Sequence, residues 1–203
     1  MSHITNIDQT MIIPKSGLLA LLNAVKTWCP TMELVQGQSH YRTWKDDHNG
    51  NLVGDWPLPK GWTANQIGEG AAHVIRVTDN RLVELGCSRT SKQAPYEIGV
   101  VPVKVERDAN GKVLSAVYDA TSEEYVLLAD WYASGNGVLR EKGLGVRKKD
   151  ADGKESAFGD LYMFYQMEQK RLDAERVGDV MEFEVQKDGT YIGKVDTVQR
   201  LGV

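Results

Sequence analysis

The chain has 203 residues, of which 41% are hydrophobic and 26% are charged, and its formal net charge at pH 7 is −4. These values are ordinary for a globular protein, and we expect residues 1–203 to form a single domain that folds without a disulfide or a metal. The negative net charge argues against sequence-independent binding to a phosphate backbone, although a local basic patch is compatible with it.

The cellular compartment of the protein is predicted from two signals that the sequence does not show, a signal peptide and a membrane span. The opening sequence MSHITNIDQT has neither the basic nor the apolar region of a signal peptide, and the longest apolar stretch, residues 18–25, is too short to span a bilayer. Two cysteines, Cys29 and Cys87, cannot form a disulfide framework and predict buried, reduced thiols. We therefore expect a cytoplasmic protein with no membrane partner.

The first elements along the chain are a strand and a helix. Residues 4–13 are rich in β-branched side chains and partly alternate, which predicts a strand that ends at Pro14. A helix is then predicted over residues 17–28, with Ser16 as its N-cap. The apolar residues that recur at helical spacing are Leu18, Leu21, Leu22, Val25 and Trp28.

The remaining elements complete an α+β pattern. Further strands are predicted at residues 32–35, 72–77, 96–105, 112–118 and 124–129. A long helix is predicted over residues 157–177, with Ser156 as its cap and Gly178 as its left-handed stop. A terminal hairpin follows, with its turn at KDGT. We predict a mostly antiparallel sheet with the two main helices packed on one face.

Two long segments interrupt this pattern. Residues 37–70, called the aromatic loop below, follow the second predicted strand and contain three of the five tryptophans among prolines, glycines and charges. Residues 134–156 are rich in glycine and lysine and have little periodicity, which predicts a flexible loop.

The order of elements resembles a known family. The resemblance rests on the opening MSHIT, the early helix, and the motifs YEIGVV and EYVLLAD, the second of which is followed by Trp131 and Tyr132. It also rests on a tyrosine-containing helix that ends in glycine before KDGTY. Together they resemble the domain of unknown function 1257 family, which includes bacteriophage members and hypothetical proteins of plastids and cyanobacteria. The stretch YRTW, LVGDWPLPKGW and HVIRV is most similar to the phage-type members, and residues 79–94 and 136–155 are extra relative to the short members. The resemblance implies a fold and a phage origin, hence a host cytoplasm, and carries no established activity or functional residue.

The aromatic loop is the strongest candidate for a binding site. Its aromatic and cationic residues combine large rigid contact area with polar ends, as binding hot spots do, and could also stack single-stranded bases. The residues predicted to bind are Tyr41, Arg42, Trp44, Lys45, His48, Lys60 and Trp62. The alternative is that the tryptophans fold back over the sheet as a cover, and the sequence leaves both open.

A second, weaker candidate is an anion site in the segment SGNGVLREKGLGV and just beyond it. Its cations are Arg140, Lys142, Arg147, Lys148 and Lys149. The segment lacks both the P-loop pattern and the dinucleotide-binding glycine spacing, so a solvated loop is the favoured interpretation.

The sequence gives no strong signal for catalysis or for a cofactor. No nucleophile elbow occurs, and His40, His48 and the nearby aspartates lack the local spacing of a zinc site. We therefore expect a non-catalytic binding or interaction protein that recognises an unidentified protein or small ligand through the aromatic loop. The alternatives are a nucleic-acid-associated protein that uses the same loop with the basic residues 140–149, and a small enzyme whose site is assembled from distant residues.

Overall fold

The fold is described from a computed structural model. The structure describes residues 5–7, 11–47, 49, 58, 61–130, 148–149, 155–156, 158–187 and 190–196. Within them the chain forms a seven-stranded antiparallel sheet, a separate C-terminal hairpin and a short third pair of strands. Of the helices described, none has the length and apolar character needed to cross a bilayer.

The main sheet is built around one long central strand. Its strands are β1 (Thr5–Ile7), β2 (Ile13–Pro14), β3 (Met32–Gln36), β4 (His73–Val77), β5 (Ile98–Arg107), β6 (Val113–Tyr118) and β7 (Glu124–Asp130). The strand order is β1-β7-β5-β4-β3, with β2 also paired to β7 and β6 paired to β5. The predicted N-terminal strand is therefore two short strands, and both pair with β7.

Two main helices cover one face of this sheet, as predicted. They are α1 (Leu18–Trp28) and α4 (Gly159–Val177), and they pack on each other through the stacked rings of Trp28 and Phe164, whose centroids are 5.3 Å apart. Gly178 ends α4 in the left-handed conformation, with a φ of 86°. The two predicted caps are wrong, because Gly17 and Phe158 occupy the N-cap positions and neither makes a side-chain capping bond.

The strands β4, β5 and β7 are apolar on both sides because both faces of the sheet are buried. On the helix face, α1 and α4 pack on Ile75, Val77, Ile98, Val100, Tyr125, Leu127 and Ala129. On the opposite side, called the loop face, a second core contains Tyr41, Trp62, Ile67, Ala71, Val74, Val101, Val103, Ala116, Val126 and Leu128. The aromatic loop follows β3, as expected, and supplies the first three members of that second core.

The smaller elements complete the description. Two short helices were not predicted from the sequence, α2 (Trp44–Asp47) and α3 (Asp79–Glu84). The predicted flexible loop 134–156 lies outside the described residues except for β8 (Lys148–Lys149) and β9 (Glu155–Ser156), which pair with each other. The C-terminal hairpin consists of β10 (Val180–Val185) and β11 (Tyr191–Asp196), as predicted.

Candidate functional site

The aromatic loop meets the end of β4 and the start of β5 at a polar cleft of about 190 Å³. We call it the arginine cleft. Its polar lining consists of Gln38, His40, Arg42, Asp46, Arg76, Arg89 and Glu97. Its apolar lining consists of Val77, Leu82, Ala94 and Pro95.

One side of the cleft is a pair of guanidinium groups that share a carboxylate. Glu33 Oε1 accepts hydrogen bonds from Arg76 Nε at 2.8 Å and from Arg89 Nη2 at 2.9 Å. Arg76 Nη1 also donates to the Gln38 side chain, and Arg89 Nη2 lies 2.7 Å from an Asp79 carboxylate oxygen. A single carboxylate oxygen therefore holds two cations side by side at the cleft wall.

These two arginines keep unused donors in the described part of the chain. Arg76 makes its bonds through Nε and Nη1, and Arg89 makes all of its bonds through Nη2. A guanidinium has five N–H donors, so Nη2 of Arg76 and Nη1 of Arg89 are available. The nearest carboxylate to Arg89 Nη1 is that of Glu97, at 4.0 Å, which is beyond hydrogen-bond distance.

On the other side of the cleft, Arg42 connects the aromatic loop to Glu97. Its backbone N–H donates to Glu97 Oε2 at 2.9 Å, and its backbone carbonyl accepts from the Glu97 N–H at 2.9 Å. Its guanidinium pairs with Asp47, whose other oxygen accepts from the Tyr96 hydroxyl at 2.8 Å. Arg42 Nε is buried and has no hydrogen-bond partner among the described residues. The start of the aromatic loop is thereby tied to the first residues of β5.

The Glu97 carboxyl is the most enclosed acid of the cleft, with a side chain that is 13% exposed. Burial raises its pKa above the ordinary value. The Arg42 N–H bond and the nearby charges of Arg76 and Arg89 lower that pKa and offset part of the rise. The ion pair of Glu97 with Arg89 Nη1, at 4.0 Å, is therefore a contact between charges without a hydrogen bond.

His40 is a charged residue of the cleft lining. Its Nε2 lies 3.0 Å from Asp46 Oδ1 and its Nδ1 lies 3.0 Å from Glu69 Oε1. The hydrogen bond with Asp46, more than that with Glu69, raises the pKa of His40 to about 9, so the ring is protonated at neutral pH. The cleft lining thus contains four cations, His40, Arg42, Arg76 and Arg89, and the carboxylates of Asp46 and Glu97. Four further carboxylates pair with these cations from outside the lining, namely Glu33, Asp47, Glu69 and Asp79.

Two of the predicted binding residues belong to the loop-face core. Tyr41 is fully buried, and its ring lies against Gly99 of β5, where a Cβ would be 2.6 Å from the ring carbons. Trp62 is 5% exposed, and its indole N–H donates to the Ala116 carbonyl at 2.9 Å. For these two rings the structure matches the alternative in which the loop covers the sheet, and neither offers contact area to a partner.

The other predicted loop residues are divided. Arg42 lines the cleft, and the half-buried Trp44 begins α2. Lys45 is half-buried, and its amine reaches the Ile67 carbonyl at 3.5 Å. His48 and Lys60 lie outside the described residues.

The predicted anion site of the glycine-rich segment is not described as a unit. Arg140, Lys142 and Arg147 lie outside the described residues, and Lys148 and Lys149 form β8. This site therefore stays a prediction.

Sequence reasoning missed most of the cleft. The sequence patterns do not single out Arg76, Arg89 or Glu97, and they indicate His40 only as a possible metal ligand. Arg76 did carry a signal, since it is a charged residue between Ile75 and Val77 in an otherwise apolar strand. A cation at such a position requires a polar partner, which here is Glu33.

Metal ligands and thiols are the other reactive groups of the described residues. Within them, no group of three or more His, Cys, Asp or Glu side chains could hold a metal ion. Neither Cys29, which is buried, nor Cys87, which is half-buried, forms a disulfide. Burial raises the pKa of the Cys29 thiol to about 12, so that thiol is un-ionised at neutral pH.

Comparisons of the chain with protein-family models, with curated proteins and with solved structures find no match. The resemblance to the domain of unknown function 1257 family therefore stays a prediction.

Proposed function

We propose that this chain is a non-catalytic binding protein that recognises a compact anionic group in the arginine cleft. The observation that carries the proposal is the pair of available guanidinium donors, on Arg76 and Arg89, which line the same cleft and are held side by side by Glu33. Arginine is well suited to this role because its planar donors match the geometry of a carboxylate or phosphate.

The size of the cleft limits the size of the ligand that it can hold. Pockets for drug-sized molecules enclose roughly 300–1,000 Å³. The arginine cleft encloses about 190 Å³, which suits one carboxylate or phosphate group better than a large molecule. Such a group could belong to a small metabolite or to a side chain of a partner protein.

The aromatic loop contributes through rigidity. Tyr41 and Trp62 anchor it to the sheet, and the reciprocal backbone bonds between Arg42 and Glu97 fix its start. A site held in place before the ligand arrives loses less conformational entropy on binding. The buried rings of the loop therefore hold the site in place, while the charged residues of the loop supply contacts to the anionic ligand.

The test is a calorimetric titration of the full chain with phosphate, succinate and an acidic peptide at low ionic strength. We expect the Arg76→Lys variant, which keeps the charge and loses the planar donors, to bind about tenfold more weakly, because a hydrogen bond to a charged group contributes about 1.5–3 kcal/mol. The matched control is Arg176→Lys, an exposed arginine of α4 that pairs with Asp173 and is absent from the cleft lining.

The outcomes separate the alternatives. The absence of binding by all three anions, or equal losses in the Arg76→Lys and Arg176→Lys variants, would overturn the proposal. A single-stranded DNA oligonucleotide serves as the fourth ligand. Binding of that DNA with a steep salt dependence and no response to Arg76→Lys would support the nucleic-acid alternative instead.

A further inference from the structure

A second concave site lies between α4 and the C-terminal hairpin, and it encloses about 540 Å³. We call it the methionine groove. Its apolar lining consists of Met163, Met167, Met181, Phe183, Tyr191 and Gly193. Three exposed polar residues complete it, namely Gln166, Lys170 and Thr190.

The groove exists because the hairpin packs on the helices through its aromatic residues. The Tyr191 ring stands edge-on to Trp28 and to Phe164, at centroid distances of 5.5 Å and 5.9 Å. In the described part of the chain, β10 and β11 pair only with each other. The hairpin therefore contacts α4 from one side, and in the described part of the chain a groove remains between them.

Gly193 keeps the hairpin wall of the groove in shape. A Cβ at this position would lie 2.5 Å from Met181 Cε and 3.1 Å from a Phe183 ring carbon. The missing side chain lets Met181 and Phe183 pack against Gly193, and all three residues line the groove. Methionine side chains are flexible and polarisable, so they adapt to the shape of an apolar ligand.

Lys170 gives the groove its charge. It is exposed, and among the described residues it has no ion pair or hydrogen bond through its amine. An apolar cavity of roughly 300–1,000 Å³ with a few polar groups is the usual form of a small-molecule site. Here the lining is methionine and aromatic, and the charged group that lines it is a cation.

We propose that the methionine groove binds a small apolar molecule that carries one anionic head group. The apolar part lies along Met163, Met181 and Phe183, and the head group lies beside Lys170. This site is separate from the arginine cleft, and the proposal does not depend on the function proposed for that cleft.

The experiment compares three probes that share one alkyl chain and differ in the head group. Dodecanoate, dodecanol and dodecylamine are titrated into the full chain by calorimetry, each below its solubility limit and below any concentration at which it forms micelles. We expect one molecule of each to bind per chain, with dodecanoate about two- to fivefold tighter than dodecanol, the range expected for an exposed ion pair. Dodecylamine should bind most weakly.

Two variants assign the binding to the groove. Lys170→Gln should remove the preference for dodecanoate over dodecanol, while the control Lys112→Gln, an exposed lysine in the turn between β5 and β6, should keep it. Met163→Gln, at a half-buried position of α4, should weaken all three probes alike. Thermal melts establish that each variant is folded.

Several outcomes would overturn the proposal. They are the absence of binding by all three probes, binding of many molecules per chain, and affinities that neither Lys170→Gln nor Met163→Gln changes. Sedimentation velocity tests a second copy of the chain as the occupant. A dimer that Met163→Gln converts to a monomer would make the groove a self-association surface and would also overturn the proposal.

Discussion

The helix face and the loop face of the sheet are closed by different kinds of structure. On the helix face, α1 and α4 bring side chains to the sheet while their own backbones are hydrogen-bonded within each helix. On the loop face, the described part of the aromatic loop contains only the four-residue helix α2 and one 3-10 turn, so most of its described backbone groups need partners outside a regular helix.

The partners of the loop show how this is achieved. Tyr41 N–H donates to the Gly68 carbonyl, Ala71 N–H donates to the Ser39 carbonyl, and the Trp62 indole donates to β6. These bonds join the start of the loop to its end and join Trp62 to β6, and the loop also contributes His40, Arg42 and Asp46 to the arginine cleft. The comparison shows that the face covered by the irregular loop holds polar and charged contacts beside its core. The face covered by the helices holds mainly apolar contacts.

The largest expected effect comes from removing the main anchor of the loop face. We expect Trp62→Ala to lower the free energy of unfolding by about 3–5 kcal/mol, because the change deletes a buried ring and leaves a cavity. Urea unfolding followed by circular dichroism measures this. Trp62→Phe is the control, since it keeps a ring and loses the bond to Ala116, so its cost should be smaller. A negligible cost for Trp62→Ala would mean that the loop does not form a second core.

An intermediate effect is expected where the loop touches the central strand. We expect Gly99→Ala to cost about 1–3 kcal/mol, because the added methyl group collides with the Tyr41 ring and overpacks the site. The double variant with Tyr41→Ala should be destabilised by less than the sum of the two single variants, which the same unfolding experiment measures. Additive costs would show that the ring does not lie on Gly99.

The smallest effects concern two histidines, one near each face, whose pKa values shift in opposite directions. His40, beside the aromatic loop, has a pKa raised to about 9 by its bond with Asp46. His73 of β4, whose ring lies 6.1 Å from that of Tyr125 on the helix face, has a pKa lowered by burial. NMR titration of the ring protons should give a midpoint near 9 for His40 and one below the ordinary 6.5 for His73.

The two shifts have opposite consequences for stability. Because the pKa of His40 is raised by folding, its stabilising contribution is complete below pH 6.5 and is lost as the pH rises to about 9. Because the pKa of His73 is lowered, the unfolded chain takes up that proton more readily, and His73 destabilises the fold as the pH falls below 6.5. His40→Gln should therefore lose more stability, relative to the unsubstituted chain, at pH 6 than at pH 10. Equal losses at the two pH values, or a common midpoint near 6.5, would contradict these assignments.

Local patterns in the sequence were sufficient for the two main helices and the terminal hairpin. The apolar spacing from Leu18 to Trp28 determined α1, and the left-handed stop at Gly178 determined the end of α4. The alternation around KDGT determined the terminal hairpin. These features depend on neighbours within a few residues, so periodicity and turn chemistry reveal them. The caps were predicted wrongly because a short 3-10 turn at Lys15–Gly17 precedes α1 and the strand β9 contains Ser156.

The tertiary structure alone decided what the aromatic loop does and where the cleft lies. Arg42 and Glu97 are 55 residues apart, and Glu33 and Arg76 are 43 residues apart, so no local pattern joins them. Of the loop residues predicted to bind, Arg42 lines the cleft, whereas Tyr41 and Trp62 became core because β4, β5 and β7 have a second apolar face that needs a cover. A sequence shows that such rings are present, but whether they face solvent or a sheet depends on which strands pair beneath them.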